Sequence, residues 1–240
     1  MEGSIGKDAS PEGAVSQASM YWIGLGDIHG HLANLAGIEG LGQARGVIVT
    51  GDLTNVGGVP QAKEVISAIA ALNPKIYAQI GNMDKPVVQT WLDSQGLGIH
   101  AKTVELAPGL GLLGVGWSTT TPFGTPSEVP DAQLGDWLQE ALTQAKAFDR
   151  LVLAVHNPPY GTLTDQVSSG THVGSRAVRE FIEQVQPQLC LTGHIHESQA
   201  VDKLGATTVI NPGDLGHGGY VRLDWDGRDV TGKLLSAAKP

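Results

Sequence analysis

Hydrophobic positions in this chain form short uninterrupted runs that alternate with longer segments in which apolar residues recur every three or four positions. The runs are rich in β-branched residues and end near glycine, which is typical of buried strands. The longer segments have the period of amphipathic helices. The alternation begins at Met20 and predicts an α/β domain. The five best delimited strand runs are 21–27, 46–52, 76–82, 151–156 and 189–194.

The periodic segments predict five helices, and proline and serine mark several of their starts. The predicted helices are 31–43, 60–72, 85–95, 131–147 and 174–186. Pro60 and Pro86 suit a first helical turn, where the missing amide hydrogen costs nothing. Ser175 suits the N-cap of the last helix.

Further strands are predicted where the helical period is lost. Two short strands within 98–116 flank the turn-like sequence at Pro108. After residue 197 four more strands are predicted, namely 198–202, 206–210, 219–225 and 229–234. Asp226 and Gly227 join the last two, and this pair is a strong β-hairpin signal.

Composition limits the number of domains. The chain has 240 residues, 41% of them hydrophobic, which is enough for one large core. Residues 1–19 are rich in small and polar residues and lack apolar periodicity, so we expect a flexible leader or a vector-derived remnant there. We therefore expect one domain over 20–240.

Charge and hydropathy exclude several classes of function. The formal net charge of −9 disfavours broad, sequence-independent nucleic-acid binding, which needs a basic surface. No run reaches the length of a membrane span, and the first nineteen residues lack the apolar core of a signal peptide. We expect a cytoplasmic protein without membrane association.

Cys190 is the only cysteine and lies within an apolar run, which indicates a buried structural thiol.

Each of the five strand runs ends on a residue that can bind a metal. Sites in α/β proteins form at the carboxyl ends of strands, so we expect these side chains to meet. They are Asp27 with His29, Asp52, Asn82, His156, and His194 with His196. Imidazole, carboxylate and amide oxygen together suit Mn, Fe, Zn or Co better than copper. Each motif alone is weak, because a Gly-Asp pair is usually a turn, but five in this order predict a metal site.

The blocks resemble the calcineurin-like metallophosphoesterase family. They read Gly26-Asp27-Ile28-His29, Gly51-Asp52, Gly81-Asn82, His156 and Gly193-His194-Ile195-His196. The segments after His156 and near Asn211 are similar to the small Icc-related prokaryotic branch of that family. The resemblance implies an α/β fold, a four-layer αββα sandwich of two mixed β-sheets flanked by helices.

The resemblance also implies two divalent cations that share Asp52. One cation would take Asp27, His29, Asp52 and His196, and the other would take Asp52, Asn82, His156 and His194. Mn²⁺ is the first expectation, with Fe, Zn, Co or Ni as alternatives. A hydroxide that bridges the cations would then attack the phosphorus of a small phosphoester, nucleotide-like substrates included. Residues expected in catalysis are Asp52, Asn82 and Asp84.

Met83 departs from the family pattern, because most members carry histidine there. That histidine is taken as a proton donor to the leaving group, which a thioether cannot be. Asp84 is the nearest carboxyl group in sequence, and His172 and His217 are further candidates. Substrate contacts are expected from Asn55, Asn157, Thr162 and His172.

Three functional hypotheses remain open from the sequence. We expect phosphodiester hydrolysis in preference to monoester hydrolysis, because no arginine lies within the five blocks. A protein-binding scaffold that has lost catalysis is the alternative that Met83 suggests. A nuclease is disfavoured by the acidic charge.

Overall fold

Two mixed β-sheets packed face to face form the centre of the structure, a computed structural model that describes residues 20–238. In chain order the strands are β1 (Met20–Leu25), β2 (Val47–Val49), β3 (Ile76–Ala78), β4 (Lys102–Ala107), β5 (Leu110–Val115), β6 (Ser118–Thr119), β7 (Glu128–Val129), β8 (Arg150–Val155), β9 (Leu189–Leu191), β10 (Ala200–Leu204), β11 (Thr207–Asn211), β12 (Gly219–Trp225) and β13 (Val230–Ser236). The α-helices are α1 (Val59–Leu72), α2 (Pro86–Ser94), α3 (Asp131–Thr143) and α4 (Arg176–Val185).

The strand order brings the predicted site strands together within each sheet. The first sheet has the order β13-β12-β1-β2-β3, and β1, β2 and β3 run parallel. The second sheet has the order β10-β11-β9-β8-β5-β4, with β8 and β9 parallel neighbours near its centre. Antiparallel strands complete both sheets. β6 and β7 form a separate parallel pair.

Alternation along the strands divides the core into three layers. In β1, Ile23 and Leu25 pack against the layer of α1 and α2, whereas Trp22 faces the space between the sheets. In β8, Ala154 faces the same space and Leu153 packs with residues of α3 and α4. This period of two is the geometry of a strand buried on both faces. The predicted four-layer αββα sandwich is therefore confirmed.

Four of the five predicted helices are present and one prediction was wrong. α1 to α4 match the predictions to within a few residues, and the Ser175 side chain accepts a hydrogen bond from the amide of Val178. The helix predicted over 31–43 is replaced by two 3₁₀ turns, 35–37 and 41–43. Glycine explains the difference, because Gly40 has a φ of +74° and a side chain at Gly37 would collide with the C-terminal segment.

The β12–β13 hairpin is confirmed, with Trp225 opposite Val230. Cys190 is free and fully buried, as expected. No helix within 20–238 is long and apolar enough to cross a membrane. The leader expected over 1–19 lies outside the described residues.

Candidate metal centre

The five strand ends meet where the two sheets adjoin. Backbone hydrogen bonds connect them, from Asp27 N to Gly51 O at 3.2 Å within the first sheet and from Gly193 N to His156 O at 3.1 Å within the second. The amide of His194 donates to both carboxylate oxygens of Asp27, at 3.1 and 3.0 Å, and so joins the sheets. The strand-end residues are therefore neighbours in space.

Four of the candidate ligands have a left-handed backbone conformation. The φ angles are +48° at Asp27, +47° at His29, +52° at Asp52 and +72° at His194. Such values are uncommon outside glycine and cost about 1 kcal/mol each. The sequence spacing predicts that an extended backbone brings Asp27 and His29 together, but two left-handed residues do so instead.

One group of donors contains Asp27, His29, Asp52 and His196. His29 Nε2 and His196 Nε2 are 3.1 Å apart, and His196 Nε2 lies 3.3 Å from Asp27 Oδ1. Asp52 Oδ2 lies 3.7 Å from His29 Nε2. Each residue offers one donor atom, and these atoms all lie within 4.8 Å of one another. This group could hold a metal ion.

A second group surrounds the side-chain oxygen of Asn82. Asn82 Oδ1 lies 3.0 Å from His156 Nε2 and 2.7 Å from His194 Nδ1. His156 Nε2 is also 3.5 Å from Asp52 Oδ2. The same oxygen of Asp52 therefore borders both groups.

The histidines of the site are suited to bind a cation. Burial lowers the pKa of His29, lowers that of His156 to about 3 and lowers that of His194 to about 4. These rings are therefore neutral near pH 7 and keep a lone pair, as metal ligation requires. His196 differs, because its hydrogen bond to Asp27 raises its pKa.

The carboxylates supply the negative charge that a cation would offset. Burial and the charges of Asp27 and Asp84 raise the pKa of Asp52 well above its ordinary value. Burial would also raise the pKa of Asp27, but the hydrogen bond with His196 and the nearby histidines lower it overall. A divalent cation between these groups would relieve the repulsion. The residues present therefore fit a bound metal.

Asp84 lies behind the strand ends, away from the cleft lining. Its side chain is fully buried and accepts hydrogen bonds from Leu53 N, Thr54 N, Thr54 Oγ1 and Gly81 N, at 2.7 to 3.2 Å. Burial raises its pKa to about 6. This carboxylate joins the loops that follow β2 and β3. The expected catalytic contact stays a prediction, and the placement favours support of the loops.

A cleft of about 1270 Å³ opens above the donor groups. Its wall includes Asn55, Val56 and Met83, together with the segment 119–126. Phe123 in that segment is 84% exposed. Among the described residues that line the cleft there is no lysine or arginine.

The four residues expected to contact substrate are in different surroundings. Asn55 lines the cleft. Asn157 and Thr162 are buried, are bonded to neighbouring protein atoms and do not line the cleft. His172 also lies outside the lining, with Nδ1 2.7 Å from buried Asp165. Substrate contact stays a prediction for all four, and the position of Asn55 favours it most.

Several parts of the cleft wall were not predicted from the sequence. No function is predicted for the segment 119–126, although its run of threonine and proline between a strand and a helix is typical of a functional loop. His31 and Asp214 also line the cleft. His217, considered as a proton donor, lines the cleft with Nδ1 2.6 Å from Asp214 Oδ2.

Comparisons with known proteins agree with this geometry. A family model described as calcineurin-like phosphoesterase matches residues 22–198, which include all seven candidate ligands. An uncharacterized protein of Methanocaldococcus jannaschii is 35% identical over 196 residues, which are 79% of this chain and 86% of that protein. A solved structure from Thermus thermophilus is similar in fold, with a TM-score of 0.69 at 20% identity over 90% of this chain and 99% of that one. The chain therefore belongs to the calcineurin-like phosphoesterase family.

Proposed function

We propose that this protein is a hydrolase that uses two divalent cations, with Mn²⁺ as the first expectation, to cleave small phosphodiesters in preference to monoesters. The observation that carries the proposal is the position of Asp52. Its Oδ2 lies 3.7 Å from His29 Nε2 and 3.5 Å from His156 Nε2, so a single carboxylate serves both donor groups.

Seven side chains would hold the two cations. The first cation would be bound by Asp27, His29, Asp52 and His196, and the second by Asp52, Asn82, His156 and His194. When bound, such a pair of cations activates water for attack on phosphorus and offsets the charge of the phosphoryl oxygens.

The chain orients its own ligands through a second layer of hydrogen bonds. The amide of Met83 donates to Asp52 Oδ1 at 2.8 Å, which leaves Oδ2 directed between the two groups. His29 Nδ1 lies 3.2 Å from the carbonyl of Thr54. Donation to this carbonyl places the proton on Nδ1 and leaves the lone pair on Nε2. The ligand atoms are therefore held ready for a cation.

The chemistry of the cleft supports the diester preference. A diester carries one negative charge and a monoester close to two, so a monoester gains more from nearby cationic side chains. Lysine and arginine are absent from the cleft lining among the described residues. Apolar residues such as Val56, Met83 and Phe123 instead offer contact area to an ester substituent. A nucleotide-like diester fits both properties.

The test is a comparison of an aryl phosphodiester with the monoester of the same aryl group. Metal-free protein is loaded with Mn²⁺, its metal content is measured, and kcat/KM is determined for both substrates. We expect about two Mn²⁺ per chain and a higher kcat/KM for the diester. Equal or reversed values would contradict the preference, and a content near one would contradict the paired centre.

The alternative is a protein-binding scaffold without catalysis. Met83 favours it. This residue lines the cleft at the position that is usually histidine, and its thioether cannot donate a proton. Metal binding without turnover across a broad panel of phosphoesters would support the scaffold. Degradation of single-stranded DNA or RNA by the same preparation would instead indicate a nuclease.

A further inference from the structure

The cleft wall between β6 and β7 is bonded directly to Asn82. Asn82 Nδ2 donates to Thr125 Oγ1 at 3.0 Å, and the Thr125 hydroxyl donates to Glu128 Oε1 at 2.6 Å. The backbone is joined as well, because Ser127 N donates to Asn82 O at 3.0 Å. The wall and the candidate amide ligand therefore form one hydrogen-bonded unit.

The direction of this hydrogen-bond chain fixes which atom of the Asn82 amide faces the centre. A hydroxyl has a single hydrogen, and Thr125 gives it to Glu128, so Thr125 Oγ1 can only accept from Asn82. Burial would raise the pKa of Glu128, but the hydroxyl and amide donors of Thr121 and Thr125 lower it to about 2. Glu128 is then ionised and can only accept. The amide nitrogen must point to the wall.

The other end of the amide is directed into the second donor group. With Nδ2 turned to the wall, Oδ1 lies 3.0 Å from His156 Nε2 and 2.7 Å from His194 Nδ1. A rotated amide would place its NH₂ group there instead, and NH₂ cannot ligate a cation. With the oxygen of Asn82 toward this group, the group offers carboxylate, amide and imidazole ligands. With the amide rotated, it would offer only carboxylate and imidazole.

We propose that Thr125 and Glu128 are positioning residues that hold Asn82 with its oxygen toward the metal centre. The inference rests on the proposed function, in which Asn82 Oδ1 is a ligand. Groups that orient a metal ligand typically change metal affinity or activity 10–100-fold when they are removed. The segment 119–128 would thus contribute to the centre as well as to the cleft wall.

Thr125→Val tests this proposal, because valine keeps the shape of threonine and removes the hydroxyl. We expect the Mn²⁺ affinity of the second donor group, which contains Asn82, to fall about 10–100-fold, as measured by calorimetry on metal-stripped protein. Thr125→Ser keeps the hydroxyl and should restore most of that affinity. Turnover of the aryl diester should change mainly in kcat, because valine keeps the shape of the cleft wall at this position.

Thr121→Val is the matched control. Thr121 Oγ1 also donates to Glu128 Oε1 at 2.6 Å, but its side chain has no hydrogen bond to Asn82. Glu128 Oε1 still accepts from Thr125 Oγ1 and Thr125 N in this variant, which should therefore keep the Mn²⁺ affinity within about twofold of the parent. The melting temperature of each metal-free variant is measured alongside, to detect a general loss of folding stability.

The outcomes separate this inference from the proposed function. Equal losses of Mn²⁺ affinity in the two valine variants, or a Thr125→Val loss that serine does not restore, would overturn the positioning role. Unchanged Mn²⁺ binding in Thr125→Val, with an active parent protein, would overturn it as well. A parent protein that neither binds Mn²⁺ nor turns over the diester would contradict the proposed function itself.

Discussion

At the scale of single residues, Asp52 is the group whose loss should affect both donor groups at once. Asp52→Asn removes the charge but keeps the shape, and Asp27→Asn does the same for one group only. We expect about one bound Mn²⁺ per chain in Asp27→Asn and less than one in Asp52→Asn. Metal analysis after gel filtration measures both contents. Equal contents would show that Asp52 is not shared.

Met83 is the second residue whose role can be measured. Met83→His places an ionisable ring on the cleft wall at the position where the family usually has one. We expect a gain in kcat of up to about 100-fold for diesters with poor leaving groups and little gain for good ones. Met83→Leu keeps an apolar side chain and should lack that selectivity. A uniform gain across leaving groups would exclude proton donation.

The candidate ligands could be predicted from sequence because each lies within five residues after the end of a strand. Asp27, Asp52 and Asn82 come after neighbouring parallel strands, so their proximity follows from sheet geometry. Thr125 could not be found this way, because it lies in an irregular segment 43 residues from Asn82 in sequence, and no strand end marks it. Asn157 shows a similar limit, since sequence nearness to a candidate ligand does not tell which way a side chain points.

At the scale of elements, the end of β5 is held by an aromatic group that should respond to pH. His100 Nδ1 accepts a hydrogen bond from Gly116 N at 3.1 Å, and its ring lies 4.2 Å from that of Trp117 and 4.5 Å from that of Trp137. Burial lowers the pKa of His100 to about 4. The neutral ring is therefore the form that the fold requires.

The sign of the resulting pH dependence follows from the lowered pKa. Between about pH 6.5 and pH 4 the unfolded chain binds the proton of His100 and the folded chain does not, so stability falls as pH falls. The loss between pH 7 and pH 5 should be about 2 kcal/mol from this residue. Urea unfolding of the parent and His100→Gln at both pH values measures it. Equal pH slopes in the two proteins would contradict the assignment.

Element boundaries were predictable where periodicity was uninterrupted and failed where tertiary contacts took over. α1 and β12 match their predicted bounds closely, because their apolar patterns are regular. The segment 31–43 has a helical apolar period, yet its glycines accommodate close contacts, including the Tyr21 hydroxyl on the carbonyl of Gly40 at 2.8 Å. The apolar pattern of the segment 31–43 gives no indication of that contact, because Tyr21 lies outside the segment.

At the scale of the whole molecule, the candidate centre joins two sheets that also meet through their apolar faces and through hydrogen bonds, such as those from Gln79 Nε2 to the carbonyls of Val115 and Ala154. Cations bound there should stabilise the folded state as a whole, because the ligands are separated in the unfolded chain. The αββα layering itself was predictable from the family resemblance, whereas the alternation of strands and helices predicted only an α/β domain. The shape of the cleft was not, since its wall comes from irregular segments far apart in sequence.

Cys190 provides a probe of this global stabilisation. It is fully buried within the second sheet, and burial raises the pKa of its thiol, so labelling requires unfolding. In sub-denaturing urea, free Mn²⁺ at about 100 times its Kd should slow labelling about 100-fold. The same addition should barely slow labelling of Asp52→Asn. Equal protection in both proteins would contradict stabilisation through the centre.

The left-handed backbone at the ligands favours metal binding but lowers the thermal stability of the metal-free protein. His29 and His194 occupy conformations that glycine or asparagine would adopt with less strain. Variants evolved for survival at high temperature in the presence of a chelator should therefore lose histidine at these two positions first. Thermotolerant clones from such a population would be inert toward phosphoesters, and adding Mn²⁺ back to the selection would reverse the trend.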